Sequence, residues 1–250
     1  MLGRNKASKR EEFKIRNGGL LLEKMISECD GKSNPYSIYS AKELEKATNK
    51  YDPNQLIDSD PYFDMYKGFH EEYDCPILVK CFIDYGLEKA IKEIVLSSQA
   101  NRHKNVLRLL GCCLETEIPI LVFEYPHCGT LSKHIGTCNL VPDHPLLPWK
   151  PRLKVSEGIA YAIAYLHTGF SKPIIHNNLS STSIFLDNDF VAKLANFSFS
   201  KSIPLGQRPC CRAYSGQNTR ENPEERPTMT EVAEELRRII RSQSSTSNEK

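Results

Sequence analysis

The sequence lacks most of the features that mark specialised protein classes. It contains no apolar run of the roughly 18 residues that a membrane span requires, and it has a single tryptophan. Charge of one sign is not in excess, since 250 residues carry a formal net charge of +2. The overall charge therefore predicts no nucleic-acid partner. A hydrophobic content of 40% is near the average, which excludes collagen, a pure coiled coil and wholesale disorder.

The cysteines form no recognisable metal or disulfide pattern. The chain has 9 of them, without a Cys-x-x-Cys pair or a histidine at metal-ligand spacing. An odd count at irregular spacing is typical of reduced thiols in a cytosolic protein. The sequence therefore predicts no metal site and a cytoplasmic location.

Residues 1–35 form a basic extension with a short apolar patch. Lysine and arginine outnumber acidic residues as far as Arg16, and the apolar patch runs to Ile26. Charge counting favours a solvated tail that packs one turn onto the main domain, with a break at 31–35. The alternative is a helix that binds a partner or a membrane surface. Any membrane association, including one with the plasma membrane, is expected to be peripheral and limited to this segment.

Residues 36–125 have the pattern of a small sheet domain with two helices. Ser40 and Glu43 form a capping box, which predicts the start of a short helix. Apolar periodicity predicts a second helix with one buried face at 87–98. The predicted strands are Gln55–Asp58, Tyr62–Phe69, Ile77–Phe82, Val106–Leu114 and Ile118–Tyr125.

The pattern becomes helical in residues 126–204. An almost uniformly apolar segment, Leu153–Leu166, predicts a helix buried in a larger core. Two short strands, Ser183–Leu186 and Val191–Leu194, are predicted to follow it around a tight turn.

The C-terminal part has only one clear element. Residues 205–221 show no period and are predicted to form an irregular junction. Residues 222–241 contain the last predicted helix, and Thr228 with Glu231 forms its capping box. A frayed tail is expected at 242–250.

Several strings in residues 36–204 resemble those of plant receptor-like kinases. Lys80, in the run ILVKCF, stands at the position of the kinase third-strand lysine, and Glu93 stands where the lysine-pairing glutamate lies on the next helix. Phe123 occupies the gatekeeper position. The resemblance implies an α+β, protein-kinase-like bilobal fold. It would consist of an antiparallel β N-lobe with one helix and an incomplete helical C-lobe.

The catalytic loop and the magnesium site depart from the kinase pattern. In the string that begins at His176, Asn178 replaces the catalytic aspartate, and an amide cannot act as a base near neutral pH. Ser183 replaces a magnesium-binding asparagine, and Asn196 replaces the aspartate that is the main magnesium ligand. No charged magnesium ligand remains. We expect His176 to brace the loop as a buried histidine.

The glycine-rich loop is also altered. Its motif positions include Asp58, Asp60 and Phe63, whose side chains prevent the close approach of a phosphate to the backbone. The two carboxylates would also repel a phosphate. Lys80 and Glu93 are therefore expected to form an ion pair that braces the small lobe. We expect no cofactor, with weak metal-free ATP binding left open.

The activation segment and central helices of a kinase have no counterpart in residues 205–221. Arg226 matches a family arginine whose glutamate partner is missing. Loss of the central helix is expected to expose apolar surface around Ile159 and Ile163 on the long helix. The large lobe should then be weakly stable or require a partner.

Further strings narrow the resemblance to one group. The opening FKIRNGGLLLEKMI, the string YSAKELEKAT and the HNN and NFS replacements are similar to ZRK-type plant pseudokinases, which are receptor-like cytoplasmic kinases related to wall-associated kinases. In that comparison the C-lobe of this chain is truncated.

The ZRK resemblance implies a catalytically inactive adaptor or decoy in plant innate immunity. Its partners would be a coiled-coil nucleotide-binding leucine-rich-repeat (NLR) receptor and bacterial effectors or effector-modified receptor-like cytoplasmic kinases. The alternatives are a truncated kinase-like product without function and a residual ATP-binding serine/threonine kinase.

Overall fold

A computed structural model describes residues 2–29, 36–84, 86–135, 146–204 and 227–245. The helices are α1 (Leu2–Cys29), α2 (Ala41–Ala47), α3 (Leu87–Ala100), α4 (Ser132–Ile135), α5 (Trp149–Thr168) and α6 (Met229–Ser245). The strands are β1 (Ser37–Ile38), β2 (Leu56–Asp60), β3 (Phe63–His70), β4 (Cys75–Phe82), β5 (Leu109–Cys113), β6 (Ile120–Glu124), β7 (Gly129–Thr130), β8 (Ile174–Ile175), β9 (Ile184–Leu186), β10 (Ala192–Leu194) and β11 (Lys201–Ser202). Across these described ranges, no helix combines the length and apolarity needed to cross a membrane.

The chain divides into two compact units. The N-terminal unit contains Met1–Arg102, Leu107–His127 and Asn196–Ser198. The C-terminal unit contains His103–Val106, Cys128–Ala195 and Phe199–Lys250. The main division thus lies close to the predicted one at residue 125. Sequence periodicity could not predict that Asn196–Ser198, far along the chain, belongs to the N-terminal unit.

The N-terminal unit is built on a six-stranded sheet in the order β1-β5-β6-β4-β3-β2. All neighbouring strands are antiparallel except β1 and β5, which are parallel. Ile77 and Val79 of β4 pack with Leu44 of α2. Because side chains alternate along a strand, Lys80 points to the opposite face. This sheet and the partial helical C-terminal unit confirm the predicted α+β, kinase-like fold class.

The capping box of α2 is present as predicted. The Glu43 backbone N–H donates to Ser40 Oγ at 3.2 Å, and the Ser40 N–H donates to Glu43 Oε2 at 2.6 Å. These hydrogen bonds lower the pKa of Glu43 from its usual value. They also satisfy two N–H groups that a helix start leaves free.

The N-terminal extension is a long helix, so the solvated-tail prediction is wrong. α1 packs against α3 and buries Asn17 and Leu21. The Asn17 amide donates to the carbonyl oxygens of Leu114 at 3.0 Å and Thr116 at 2.8 Å. Tertiary contacts therefore hold a helix that the adjacent Gly18 and Gly19 would weaken in isolation. The predicted break at 31–35 lies outside the described residues.

The predicted strands of the N-terminal unit are all present with shifted ends. The largest change is at Val106–Leu114, which is reduced to β5. Val106 belongs to the C-terminal unit, where it forms an isolated bridge with Leu194. The two-residue strands β1, β7, β8 and β11 are too short for a sequence period and were not predicted.

The long helix α5 is covered, so the predicted apolar exposure is wrong. Ile159 and Ile163 are buried, and α5 packs against β8, β10 and α6. Arg237 of α6 lies 3.3 Å from Glu157 Oε1 and 5.6 Å from the centre of the Tyr161 ring. The strands and α6 therefore bury this helix within the C-terminal unit.

The last helix differs from its predicted bounds at both ends. It begins at Met229, where Thr228 and Glu231 form the predicted capping box. It continues through Ser245, so the frayed-tail prediction is wrong for residues 242–245. The predicted junction at 205–221 and Arg226 lie outside the described residues, as do the last five positions.

Candidate nucleotide site

Lys80 lies on β4 between β3 and β6, with its side chain fully buried. Its Nζ donates to Glu93 Oε1 at 2.9 Å, to Glu93 Oε2 at 2.8 Å and to Asn196 Oδ1 at 2.9 Å. An ammonium group has three hydrogen-bond donors. Each donor of Lys80 therefore has a partner within the protein.

Two phenylalanine rings enclose the same ammonium group. The Nζ of Lys80 lies 3.9 Å from the centre of the Phe63 ring and 4.8 Å from that of Phe82. The rings meet edge to face, with centres 6.2 Å apart. Away from water, such cation–π contacts are stronger than at an exposed site. Phe63 thus takes up space beside the lysine at the end of the altered glycine-rich loop.

Side chains contact the β2–β3 hairpin, which carries the altered glycine-rich loop. Asp60 Oδ1 accepts the backbone N–H groups of Tyr62 at 2.7 Å and Phe63 at 2.9 Å. The Nζ of Lys89 on α3 lies 3.8 Å from the centre of the Tyr62 ring. In a glycine-rich loop the backbone N–H groups are offered to phosphates. Here the Asp60 carboxylate occupies two of them.

The electrostatic environment of Lys80 is set by burial and by carboxylates. Burial lowers the pKa of Lys80 from its usual value, and the charge of Glu93, followed by those of Asp60 and Asp58, opposes that shift. Because the ammonium binds both oxygens of Glu93, we treat the pair as ionised. The site therefore contains a balanced buried ion pair with two further carboxylates near it.

The catalytic-loop positions belong to the C-terminal unit. The buried His176 donates through Nε2 to the carbonyl oxygen of Ala195 at 2.8 Å, which defines the ring orientation. Its own carbonyl oxygen accepts the hydroxyl of Ser200 at 3.1 Å. Asn178, at the position of the catalytic base, is exposed.

Ser183 uses its hydroxyl within its own turn. Its Oγ donates to the carbonyl oxygen of Ser180 at 2.9 Å and accepts the Ser180 N–H at 2.9 Å. Because this hydroxyl already donates one hydrogen bond and accepts another, it is poorly placed to bind a metal. Among the residues that the structure describes, no three histidine, cysteine, aspartate or glutamate side chains form a group that could hold a metal ion.

The structure shows the predicted pairing of Lys80 with Glu93, and it adds Asn196 and Phe63, which the sequence had placed in separate motifs. Phe82 was missed, although its position two residues after Lys80 places both side chains on one face of β4. Phe123 is buried on β6, opposite Leu78 of β4.

Comparisons with known proteins show the family of the chain. Residues 62–219 match the family described as protein tyrosine and serine/threonine kinase. The chain belongs to this protein kinase family. The non-functional pseudokinase ZED1 of Arabidopsis thaliana is 40% identical over 202 residues, which are 80% of this chain and 59% of the relative.

Further relatives from Arabidopsis thaliana differ in the activity that their names state. Serine/threonine-protein kinase ZRK1 is 36% identical over 82% of this chain and 59% of its own length. Wall-associated receptor kinase-like 6 is 36% identical over 82% of this chain and 32% of its own length. The resemblance to ZRK-type and wall-associated kinases is confirmed. The chain spans three-fifths or less of the length of these relatives.

Proposed function

We propose that this chain is a catalytically inactive, kinase-like adaptor in plant innate immunity. The observation that carries the proposal is that all three hydrogen-bond donors of the Lys80 ammonium have partners within the protein. In an active kinase this lysine pairs with both a glutamate and the nucleotide phosphates. Here its third hydrogen bond goes to Asn196, an amide at the position of the magnesium-binding aspartate.

The second support is the loss of the catalytic base at Asn178. Positioned acid–base catalysis contributes roughly 10²- to 10⁴-fold to a rate, and an amide does not supply it. Together with the hydrogen bonds of Asp60 to the loop N–H groups, this loss favours a role in binding over phosphoryl transfer. We propose that the protein acts in the cytoplasm.

An exposed stripe on α1 is the proposed receptor-binding surface. Ile15 is 70% exposed, and Leu22 and Ile26 are each 59% exposed. They recur at whole numbers of helical turns and so share one face. A Cβ added at Gly18 or Gly19 would have no neighbour within 4 Å, so the backbone between the apolar side chains is accessible.

The opposite face of α1 is anchored through Asn17 and Leu21, so the stripe cannot be explained as packing within the N-terminal unit. Contiguous exposed apolar residues often mark an interface. We assign the stripe to the coiled-coil NLR receptor. Bacterial effectors or effector-modified receptor-like cytoplasmic kinases are the proposed second class of partner.

A glutamate in the centre of the stripe should weaken receptor binding. We expect Leu22→Glu to weaken binding to the repeat domain of a coiled-coil NLR receptor by more than about tenfold, because a charge would be buried at the interface. Calorimetric titration with the purified chain measures the affinity. Leu179→Glu, at a 49% exposed position in the C-terminal unit, is the matched control. Equal receptor affinity of the wild type and Leu22→Glu would show that the stripe is not the receptor-binding surface.

Millimolar Mg-ATP should leave the thermal unfolding midpoint unchanged. Ligand that binds only the folded state raises the midpoint by mass action, but Lys80 and the loop N–H groups already have partners. Circular dichroism with Mg²⁺ alone is the control. A midpoint raised by Mg-ATP and not by Mg²⁺ would support the residual-kinase alternative. Absence of any cooperative transition would instead support the truncated product without function.

A further inference from the structure

A cleft of ≈ 820 Å³ lies in the N-terminal unit on the face of the sheet that packs against α2. Residues of α1, α2, α3, β3, β4 and β6 and of the segments beside them line it, and Cys81 and Phe82 of β4 are among them. Since Cys81 and Lys80 are adjacent on β4, their side chains point to opposite faces of the sheet. The volume is within the range of small-molecule sites.

Two tyrosines form an aromatic corner in this cleft. The rings of Tyr51 and Tyr66 have centres 5.7 Å apart and an interplanar angle of 71°. Burial raises the pKa of both phenols, so both remain neutral at physiological pH. The rings meet edge to face, and an aromatic face attracts a cation because it carries partial negative charge.

The backbone holds Tyr51 in place before any ligand arrives. Asn49, Lys50 and Tyr51 have positive φ values of 49°, 60° and 57°, a left-handed conformation that costs energy for side-chain-bearing residues. The Tyr51 N–H donates to Thr48 Oγ1 at 3.0 Å, and the Lys50 N–H donates to the Glu45 carbonyl oxygen at 2.6 Å. Strain of this kind is concentrated at binding and catalytic sites.

The charged lining of the cleft is predominantly acidic. Glu45, Asp84 and Glu117 contribute carboxylates, and Arg16 contributes the one guanidinium. Arg16 donates to Asn17 Oδ1 at 3.1 Å and to the Glu117 carbonyl oxygen. Glu45 forms an ion pair with Arg10 of α1 at 3.2 Å, and the charge of Arg10 also acts on the Tyr51 phenol. The carboxylates of Asp84 and Glu117 make no ion pair with any residue in the described ranges.

The remaining chemistry of the cleft argues against other ligand classes. Burial raises the pKa of the Cys81 thiol to about 12, so without a bound metal it stays protonated and unreactive at physiological pH. Two unpaired carboxylates disfavour an anion. A purely apolar ligand would remove water from those carboxylates without balancing their charge.

We propose that this cleft binds a small organic ammonium ion of the choline type. The ammonium group would contact the rings of Tyr51 and Tyr66, and Asp84 with Glu117 would balance its charge. Both free choline and a phosphocholine head group carry this chemistry. The acidic lining favours free choline, because the phosphate would be repelled. The proposed binding requires neither the receptor nor a nucleotide, although Phe82 lines the cleft and also contacts Lys80.

The test is a calorimetric titration of the full chain with choline, phosphocholine and the uncharged isostere 3,3-dimethyl-1-butanol. We expect one-to-one binding of choline, with phosphocholine and the isostere at least about tenfold weaker. Tyr66→Leu should weaken choline binding by about 3- to 30-fold, and Tyr66→Phe should retain it. Tyr73→Leu, at a 66% exposed position in the β3–β4 turn, is the matched control and should bind as the wild type does.

The charge contribution is tested separately with Asp84→Asn combined with Glu117→Gln. This double variant should bind choline more weakly and with less dependence on salt, because exposed charges are screened by ions. Equal affinity for choline and its isostere would overturn the proposal, as would a wild-type chain that unfolds cooperatively but does not bind choline. Both results need only the wild type, so they hold even if a cleft variant fails to fold.

Discussion

Lys80→Met should destabilise the N-terminal unit by about 3–5 kcal/mol, the cost of leaving one member of a buried ion pair without its partner. The two oxygens of Glu93 would lose their hydrogen bonds at 2.8 and 2.9 Å, and Asn196 would lose its donor. Glu93 is almost fully buried. It would therefore have to bind a proton or move into water.

The double variant Lys80→Met with Glu93→Leu should recover most of that loss. Replacing both members of a buried ion pair with apolar residues is often neutral or stabilising, because no charge then remains away from water. Recovery would show that the pair has a structural role. It would also show that Lys80→Met alone is destabilising because it leaves the buried Glu93 carboxylate without a partner.

Urea unfolding followed by circular dichroism measures both variants. Lys46→Met is the matched control, since Lys46 forms a 2.5 Å ion pair with Glu71 in which both side chains are largely exposed. Exposed pairs contribute about 1 kcal/mol or less. If Lys80→Met cost no more than Lys46→Met, the buried cluster would not brace the unit as described.

Asn17→Leu should release α1 from the N-terminal unit. The substitution removes the hydrogen bonds to the carbonyl oxygens of Leu114 and Thr116, and an unsatisfied buried polar group costs about 1–3 kcal/mol. We expect a local loss of about 2–4 kcal/mol for the two carbonyls. Amide-exchange protection in α1 should therefore fall by about 30- to 1,000-fold.

Hydrogen exchange resolved along the chain measures this effect. Glu12→Leu changes an exposed position of the same helix and should leave protection in α1 unchanged. If the stripe binds the receptor as proposed, Asn17→Leu should also weaken that binding, because the stripe would no longer lie on an ordered helix. Protection that is equal in Asn17→Leu and the wild type would show that other contacts anchor α1.

Local sequence patterns predicted the elements whose formation depends on nearby residues. The capping boxes at Ser40 and Thr228 form because each hydroxyl reaches an N–H three residues along the chain. The helix α3 forms as its apolar period predicts, but the prediction of one buried face is wrong, because α1 packs against the helix in addition to β5 and β6. The kinase resemblance also identified Lys80 and Glu93 as partners.

Sequence patterns failed where the burial of a residue depends on contacts with distant segments of the chain. Asn17 is buried because its amide satisfies two carbonyl oxygens, whereas charge and apolar counting place asparagine at the surface. Ile159 was expected to be exposed because a kinase helix is missing. The packing of α5 on its neighbouring strands and α6 buries the helix instead.

The sequence by itself determined the kinase family and the presence of the amides Asn178 and Asn196 at two matched positions, because each depends on residue type alone. Only the tertiary structure decided that all three hydrogen-bond donors of Lys80 have partners within the protein. It likewise decided that Phe63 lies beside the lysine and that Asp60 accepts two N–H groups of the loop. It also decided that α1 is a docked helix with an exposed apolar stripe. These features depend on distances between segments far apart in the chain, which local periodicity does not encode.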